Sequence, residues 1–452
     1  MRPAAIPEPA PSFAVPGLAI FGLSFFGLSF FGLLFFGLSG WGLSLFASVA
    51  RAETPGARRV TFAAARAAGE SAAPDVALAA GRDAVTRAQI GVAGALANPT
   101  LGVTTARETA RLGVSASLPL PVFGQRGAAL AAARSDADAA ALDVEAARAE
   151  GRFAASVAWL DLWEAEGRAR LFAEAAADAA RVAAIADEKF KAGSAPRVDV
   201  LRTAADRARA RADADFAAAA VPAASARLAI AMGDPTLDRA RASASAEGAA
   251  DLELGLASGH DQLADLLSLL PAHPAARRDR ARAEAAAAHV RAEQRLRWPI
   301  VNAELAVNWR DPTLPATDVI GGLAFEAPVL SLRGGAIARA RAEQALEETT
   351  AALELRRLQS ELTDAYARAQ GAGARARSLR SDVLPALEEV RRMTEEGYRD
   401  GRVDLLRLLD AQRARLDSRL AQVEAQAAWE RALAEVERAV GRRLDGRTRD
   451  GL

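Results

Sequence analysis

The feature that most constrains this chain is that it is written twice at matched spacing. Leu120-Pro121-Val122-Phe123 followed by Arg126-Gly127 answers Ala327-Pro328-Val329-Leu330 followed by Arg333-Gly334. Phe190-Lys191-Ala192-Gly193 answers Tyr398-Arg399-Asp400-Gly401, and Met232-Gly233 answers Val440-Gly441. The proline-to-glycine separations are 72 and 73 residues, and the glycine-to-glycine separations are 40 in both copies. Aligning RVDVL (197–201) with RVDLL (402–406) would need a gap and would break that equality. Matched lengths at low identity imply two copies of one architecture. Residues 53–233 form the first copy and 262–441 the second. Between them lies a small, polar connector (234–261), and 442–452 is a tail.

Within each copy the hydrophobic period changes. Segments 99–106 and 111–120, then 300–309 and 318–327, alternate apolar with small or polar residues, which predicts four strands. Helices over about 74–97 and 262–297 lead into them through Asn98-Pro99 and Trp298-Pro299. From Arg126 and Arg333 the pattern is helical as far as Gly193 and Gly401. A helix of that length extends about 98 Å. A second helix then runs from each of those glycines to Gly233 and Gly441. Leu405, Leu409, Leu416, Leu420, Val423, Val436 and Val440 recur mostly at three, four or seven, the seam of a coiled coil. Pro222 and Pro385 should bend their helices.

The first 52 residues are of another kind. Nine of the sixteen phenylalanines fall in the uncharged stretch 13–50, a pentad repeat ending in ASVARAET. Ala50 and Ala52 form the small-x-small pattern of a signal-peptidase site, so the segment reads as an export signal cleaved after Ala52. The apolar run is also long enough to cross a bilayer uncleaved.

Composition then removes whole classes of function. With 57 Lys+Arg against 57 Asp+Glu, the chain lacks the cationic excess that phosphate backbones require. No cysteine means no disulfide, thiolate nucleophile, Cys metal site or lipoprotein anchor. Three histidines (His260, His273, His289) with no i,i+4 pair read as solvated surface rather than a metal site. No phosphate loop or nucleophile elbow is present, so neither an enzyme nor a cofactor is expected. The abundant alanine, with Arg and Glu, is helix-forming composition.

Four strands of this length could span a bilayer but cannot close a barrel alone. Either several chains share one barrel, or the strands are two soluble hairpins on a helical body. Trp298 and Trp309 flank the third strand, where they would serve an interfacial aromatic belt or pack on the helices. The stretches NPTLGV (98–103), SLPLPVFGQRG (117–127), EKFKAGSAPRVDVL (188–201), HPAARRDRARAEAA (273–286), APVLSLRGG (327–335), VLPALEEV (383–390) and GYRDGRVDLLRLLDAQR (397–413) resemble the TolC-like outer-membrane efflux family, within it the cobalt–zinc–cadmium resistance branch. The resemblance covers about residues 74–441.

That resemblance implies a mainly α fold with a small β part. In it, long antiparallel helical hairpins form an α-barrel, and a homotrimer gives four strands per chain to a twelve-stranded transmembrane β-barrel. It implies a passive conduit in the bacterial outer membrane with its helices in the periplasm, served by a periplasmic adaptor and an inner-membrane pump, for metal ions or small toxic molecules. The hairpin turns at Phe190, Gly193, Ser194, Tyr398, Gly401 and Arg402 would be the adaptor-docking tips. The family's gate carboxylates map to Arg407 and Asp410, one reversed in charge and one kept. The alternative is a periplasmic helical scaffold anchored to the inner membrane by an uncleaved N-terminus.

Overall fold

The structure, a computed structural model, describes residues 58–105, 112–234, 240–242, 261–309, 317–328 and 331–444. The N-terminal segment with Ala50 and Ala52, most of the connector with His260, and the end of the tail lie outside the described residues.

A three-residue strand, β1 (Arg58–Val60), precedes two helices, α1 (Phe62–Ala72) and α2 (Pro74–Gly94). An antiparallel pair, β2 (Thr100–Thr104) and β3 (Leu112–Leu120), leads into the 67-residue α3 (Gln125–Lys191), which returns as the 36-residue α4 (Arg197–Met232). After β4 (Ala240–Ala242) come α5 (Asp261–Ser268), a 3-10 turn (Leu270–Ala272) and α6 (Pro274–Arg295). A second pair, β5 (Ile300–Trp309) and β6 (Asp318–Glu326), then leads into α7 (Gly334–Ser378). A π turn (Leu379–Val383), α8 (Leu384–Arg399) and the 36-residue α9 (Leu405–Val440) complete the chain. The four long strands form one antiparallel sheet in the order β2-β3-β5-β6.

Two cores form where helices crowd at the base of the hairpins. In the first, α1, α3 and α4 bury Leu162, Leu228 and Trp159, with the Trp159 indole donating to the Val60 carbonyl at 2.8 Å. In the second, α7 and α9 bury Leu362, Leu433 and Val436 around Leu270. Alanine permits close approach along the helices, and at one crossing only glycine fits. A Cβ on Gly151 of α3 would lie 2.4 Å from the Gly69 carbonyl oxygen of α1. Nearby, Arg66 of α1 and Glu437 of α9 make a buried ion pair at 2.5 Å, tying the start of the first copy to the end of the second.

Within the connector, β4 pairs in parallel with β1, Arg58 opposite Ala240. Several sequence expectations are corrected here. The single helix expected over 262–297 is broken at Leu269–His273, because Pro271 and Pro274 each sit where a new helix begins and an N–H is not needed. His273 is not solvated surface. It is 8% exposed; its Nδ1 accepts the Ala275 N–H at 3.0 Å to cap α6, and its Nε2 lies 3.0 Å from the Arg438 carbonyl. Burial holds its pKa below the ordinary histidine value, against the opposing effect of that backbone contact. Pro385 does not simply bend a continuous helix. The π turn before it lets the Leu384 N–H reach back five residues to the Leu379 carbonyl, taking up the proline where an α-helical ladder would clash. Pro222, by contrast, lies inside α4 without interrupting it. By length and composition α4 could cross a membrane; here it is the returning arm of the first hairpin, packed on α3.

Candidate functional site

The sheet has two unlike faces, and the register assigns them. One cross-strand row runs Val103, Val114, Val307, Val319, and the next Leu101, Ala116, Leu305, Gly321. Two more on the same face are Leu118, Ala303, Leu323 and Leu120, Val301, Phe325. Rows on the opposite face are Thr104, Gly113, Asn308, Asp318 and Thr100, Ser117, Glu304, Gly322. Alternation at a period of two makes one side wholly apolar and the other small and polar, Ile320 being the main exception. Most of the apolar side is uncovered: Leu101, Val103, Leu305, Val319, Leu323 and Phe325 are each more than half exposed, and Val301, next to the helices, is buried. Among the described residues, the outer edges of β2 and β6 have no strand partner. A soluble sheet normally hides such a face and protects such edges.

At the other end of the long helices the two hairpins turn through the same backbone motif. Gly193 has φ +75° and Gly401 φ +77°. The Ser194 N–H donates to the Lys189 carbonyl at 2.8 Å, and the Arg402 N–H donates to the Gly397 carbonyl at 2.8 Å. The glycine N–H groups reach Phe190 and Tyr398 at 2.9 and 3.2 Å. This is the Schellman ending that a left-handed glycine after a helix predicts.

The expected tip residues divide into two groups. Phe190, Gly193, Ser194, Gly401 and Arg402 are exposed at or beside the turns. Arg402 pairs with Asp400, and the Ser194 hydroxyl donates to the Lys189 carbonyl at 3.0 Å. Tyr398 is instead buried, at 6% exposure, among Val182, Leu405, Leu408 and Leu409. Its ring lies under Lys189, whose Nζ is 4.0 Å from the ring centroid and donates to the Tyr398 carbonyl at 2.9 Å. Tyr398 therefore fastens one hairpin to the other beneath the tip surface. Sequence reasoning missed Lys189, although its signal was present, because the chain's only two lysines, Lys189 and Lys191, both lie at this tip.

Arg407 and Asp410 lie on the exposed side of α9 and make no ion pair with each other among the described residues. The Arg407 backbone N–H instead donates to the Asp404 carboxylate at 3.2 Å, which caps the helix. Trp309 ends β5 partly exposed, and Trp298 stacks on Phe123 with ring centroids 5.7 Å apart. Among the described residues no group of His, Asp or Glu is placed to hold a metal ion.

The comparisons with known proteins agree with this geometry. Residues 57–234 match the family model described as outer membrane efflux protein. Among curated proteins, none matches the chain. Solved structures share its fold. CusC, described in terms of transmembrane channel formation, is 15% identical at a TM-score of 0.68, covering 84% of this chain and 92% of that one. The outer membrane protein VceC of Vibrio cholerae is 17% identical at 0.66, covering 84% and 96%. The CmeC outer membrane channel of Campylobacter jejuni is 13% identical at 0.69, covering 84% and 85%. The first strand pair and hairpin thus match the outer membrane efflux protein family, and most of the chain shares the fold of solved outer membrane channels.

Proposed function

We propose that the protein is a passive export channel of the outer membrane, three copies closing their sheets edge to edge into a twelve-stranded barrel. The observation that carries this reading is the two-faced sheet with open edges. In hydrocarbon, unpaired backbone groups cost several kcal/mol each, roughly, so an apolar-faced sheet is stable there only when closed. The strands alternate in direction, so β6 of one copy meets β2 of the next antiparallel, and the ring repeats without a mismatch. The apolar rows then face lipid and the rows with Glu304, Asn308 and Asp318 line the pore.

The two-copy plan supports the helical part of the reading. Each strand pair feeds a long helix and a 36-residue return, which in three copies would make a tube across the periplasm. Phe190, Gly193, Ser194, Gly401 and Arg402 would meet a periplasmic adaptor, with an inner-membrane pump supplying energy and choosing the load. Resemblance favours metal ions or small toxic molecules as that load. Arg407 and Asp410, exposed and unpaired with each other, would meet their equivalents around the axis as a gate. An N-terminal export signal ending at Ala52 fits delivery to that membrane.

Membrane fractionation and planar-bilayer recording test the reading together. The account expects the chain in the outer-membrane fraction, stepwise conductance from the purified protein, and a larger single-channel conductance for Asp410→Ala. Recovery in the inner membrane without conductance would favour the anchored scaffold; unchanged conductance in Asp410→Ala would remove the gate alone.

A further inference from the structure

Directly beneath the sheet, a cleft of about 600 Å³ lies between the first turn of α3 and the last turns of α6, lined by Phe123, Gly124, Ala128, Arg291, Arg295 and Trp298. Its aromatic wall is fixed. Phe123 and Trp298 stack at 5.7 Å with 24° between their planes. Buried Gln125 accepts from the Phe123 N–H at 3.0 Å and donates to the Trp298 and Pro299 carbonyls at 3.3 and 3.1 Å. Both approaches to the sheet are thus pinned by one side chain.

Most other cations of α6 are engaged: Arg277, Arg282 and His289 each reach a carboxylate of α3, at 2.7, 2.8 and 2.9 Å, and Arg278 holds Asp279 at 2.7 Å, while Arg280, near the start of the helix and away from the cleft, makes no ion pair among the described residues. Arg291 and Arg295 are exposed, and their guanidinium groups make no hydrogen bond or ion pair among the described residues. The nearby carboxylate of Glu293 is taken up by Arg333 at 2.7 Å. The first turn of α3 carries no acidic residue, so its free N–H groups add to the positive character of the site. Val122 and Leu296, both exposed, adjoin the aromatic pair.

We infer that this cleft holds the phosphate of an anionic glycerophospholipid of the periplasmic leaflet. Arg291 and Arg295 would pair with the phosphate while the acyl chains run up the apolar face of the sheet. Two uncompensated guanidiniums select a phosphate, and guanidinium geometry suits its oxygens. Stacked aromatics and exposed aliphatic side chains at the end of an apolar sheet belong at the headgroup level. The inference rests on the outer-membrane channel reading.

Native mass spectrometry of the purified full chain, offered equal phosphatidylglycerol and phosphatidylcholine, tests it. The wild type should retain phosphatidylglycerol preferentially. Arg291→Gln with Arg295→Gln should weaken that retention about tenfold, the loss of charge-assisted hydrogen bonds; Arg291→Lys with Arg295→Lys should keep most of it. Equal retention of the two lipids, or a Gln variant that matches wild type, would overturn the site. Inorganic phosphate that binds alone and displaces the lipid would assign the cleft to a free anion instead. Conductance recorded on the same samples separates the failures. A conducting wild type without lipid preference loses only this site, whereas one that never conducts loses the channel. If the Gln variant misassembles, the Lys variant carries the test, and its failure to retain the lipid while conducting would count against the pairing.

Discussion

The two hairpins end in the same turn but reach it by different routes. The last sixteen residues of α3, inside one unbroken helix, bury Val182, Ala183 and Ala186 against the body. The sixteen residues of α8 follow a π turn and bury only Gly397 and Tyr398. Along the rest of α8, Arg391 and Arg392 each bridge two glutamates, at 2.6–3.3 Å, on a half-exposed surface. Its polar ties to the neighbouring helices are Arg415 of α9 to Glu388 at 2.6 Å and Lys189 of α3 over Tyr398, and its buried apolar tie is Tyr398 itself, packed with Val182 of α3 and with Leu405, Leu408 and Leu409 of α9. Exposed ion pairs hold little free energy compared with buried apolar contacts. The buried contacts that hold the turn are therefore spread along the helix in one copy and gathered at Gly397 and Tyr398 in the other, and the two routes part above the turn, where a π turn precedes Pro385.

The largest test of this comparison is at the base, where the hairpins should be alike. Leu162 and Leu362 are both fully buried, and Leu162→Ala and Leu362→Ala should each cost about 3 kcal/mol. Thermal unfolding of the two variants checks it, and a several-fold smaller shift for one would show that the difference between the copies begins at their cores. Next in size are the turns. Neither Gly193 nor Gly401 has an atom within 4 Å of where a Cβ would stand, so Gly193→Val and Gly401→Val should cost only backbone strain, about 1–2 kcal/mol each. Unequal losses would mean that the turns differ in more than their mounting.

The smallest effect is the one that separates the hairpins by pH. A hydrogen bond from Arg391, and then one from Arg415, hold the Glu388 carboxyl below the ordinary glutamate value. A depressed folded-state pKa stabilises fully above the unfolded value and is lost as pH falls through the folded one. With Glu388 half-exposed, this amounts to about 0.3 kcal/mol. Hydrogen exchange of residues 384–399 should therefore quicken below about pH 4.5 relative to residues 176–191, and Glu388→Gln should reduce the difference, the remainder resting on Glu389, which Arg392 also holds below the ordinary value. Parallel acid sensitivity in the two segments would break the comparison.

Much of this was legible in the sequence, for physical reasons that also mark where it stopped. The strand at Ile300–Trp309 was read at its true limits, since alternation on a two-faced sheet is a strong local signal. Gly193 and Gly401 were readable because few other residues tolerate positive φ after a helix. The β1–β4 ribbon was not, because three residues paired across 182 positions leave no periodicity. The α1 helix was overlooked although Thr61 caps it, its hydroxyl accepting the Ala64 N–H at 3.1 Å. His273 could not be placed, since its burial depends on the end of α9 folding back over it. Tyr398 sits where the repeat aligns it with exposed Phe190, yet Lys189 draws it inward, a contact between copies that no repeat alignment contains.

The central claim, that copies join at the β2 and β6 edges, can be tested most directly because the chain has no cysteine. Leu101→Cys combined in turn with Val319→Cys, Gly321→Cys and Leu323→Cys places thiols on the same face of the two open edges. Oxidation in intact outer membranes should give, for at least one pair, a ladder of linked chains that stops at three. Monomer alone from every pair, or a ladder that runs past three, would contradict the account.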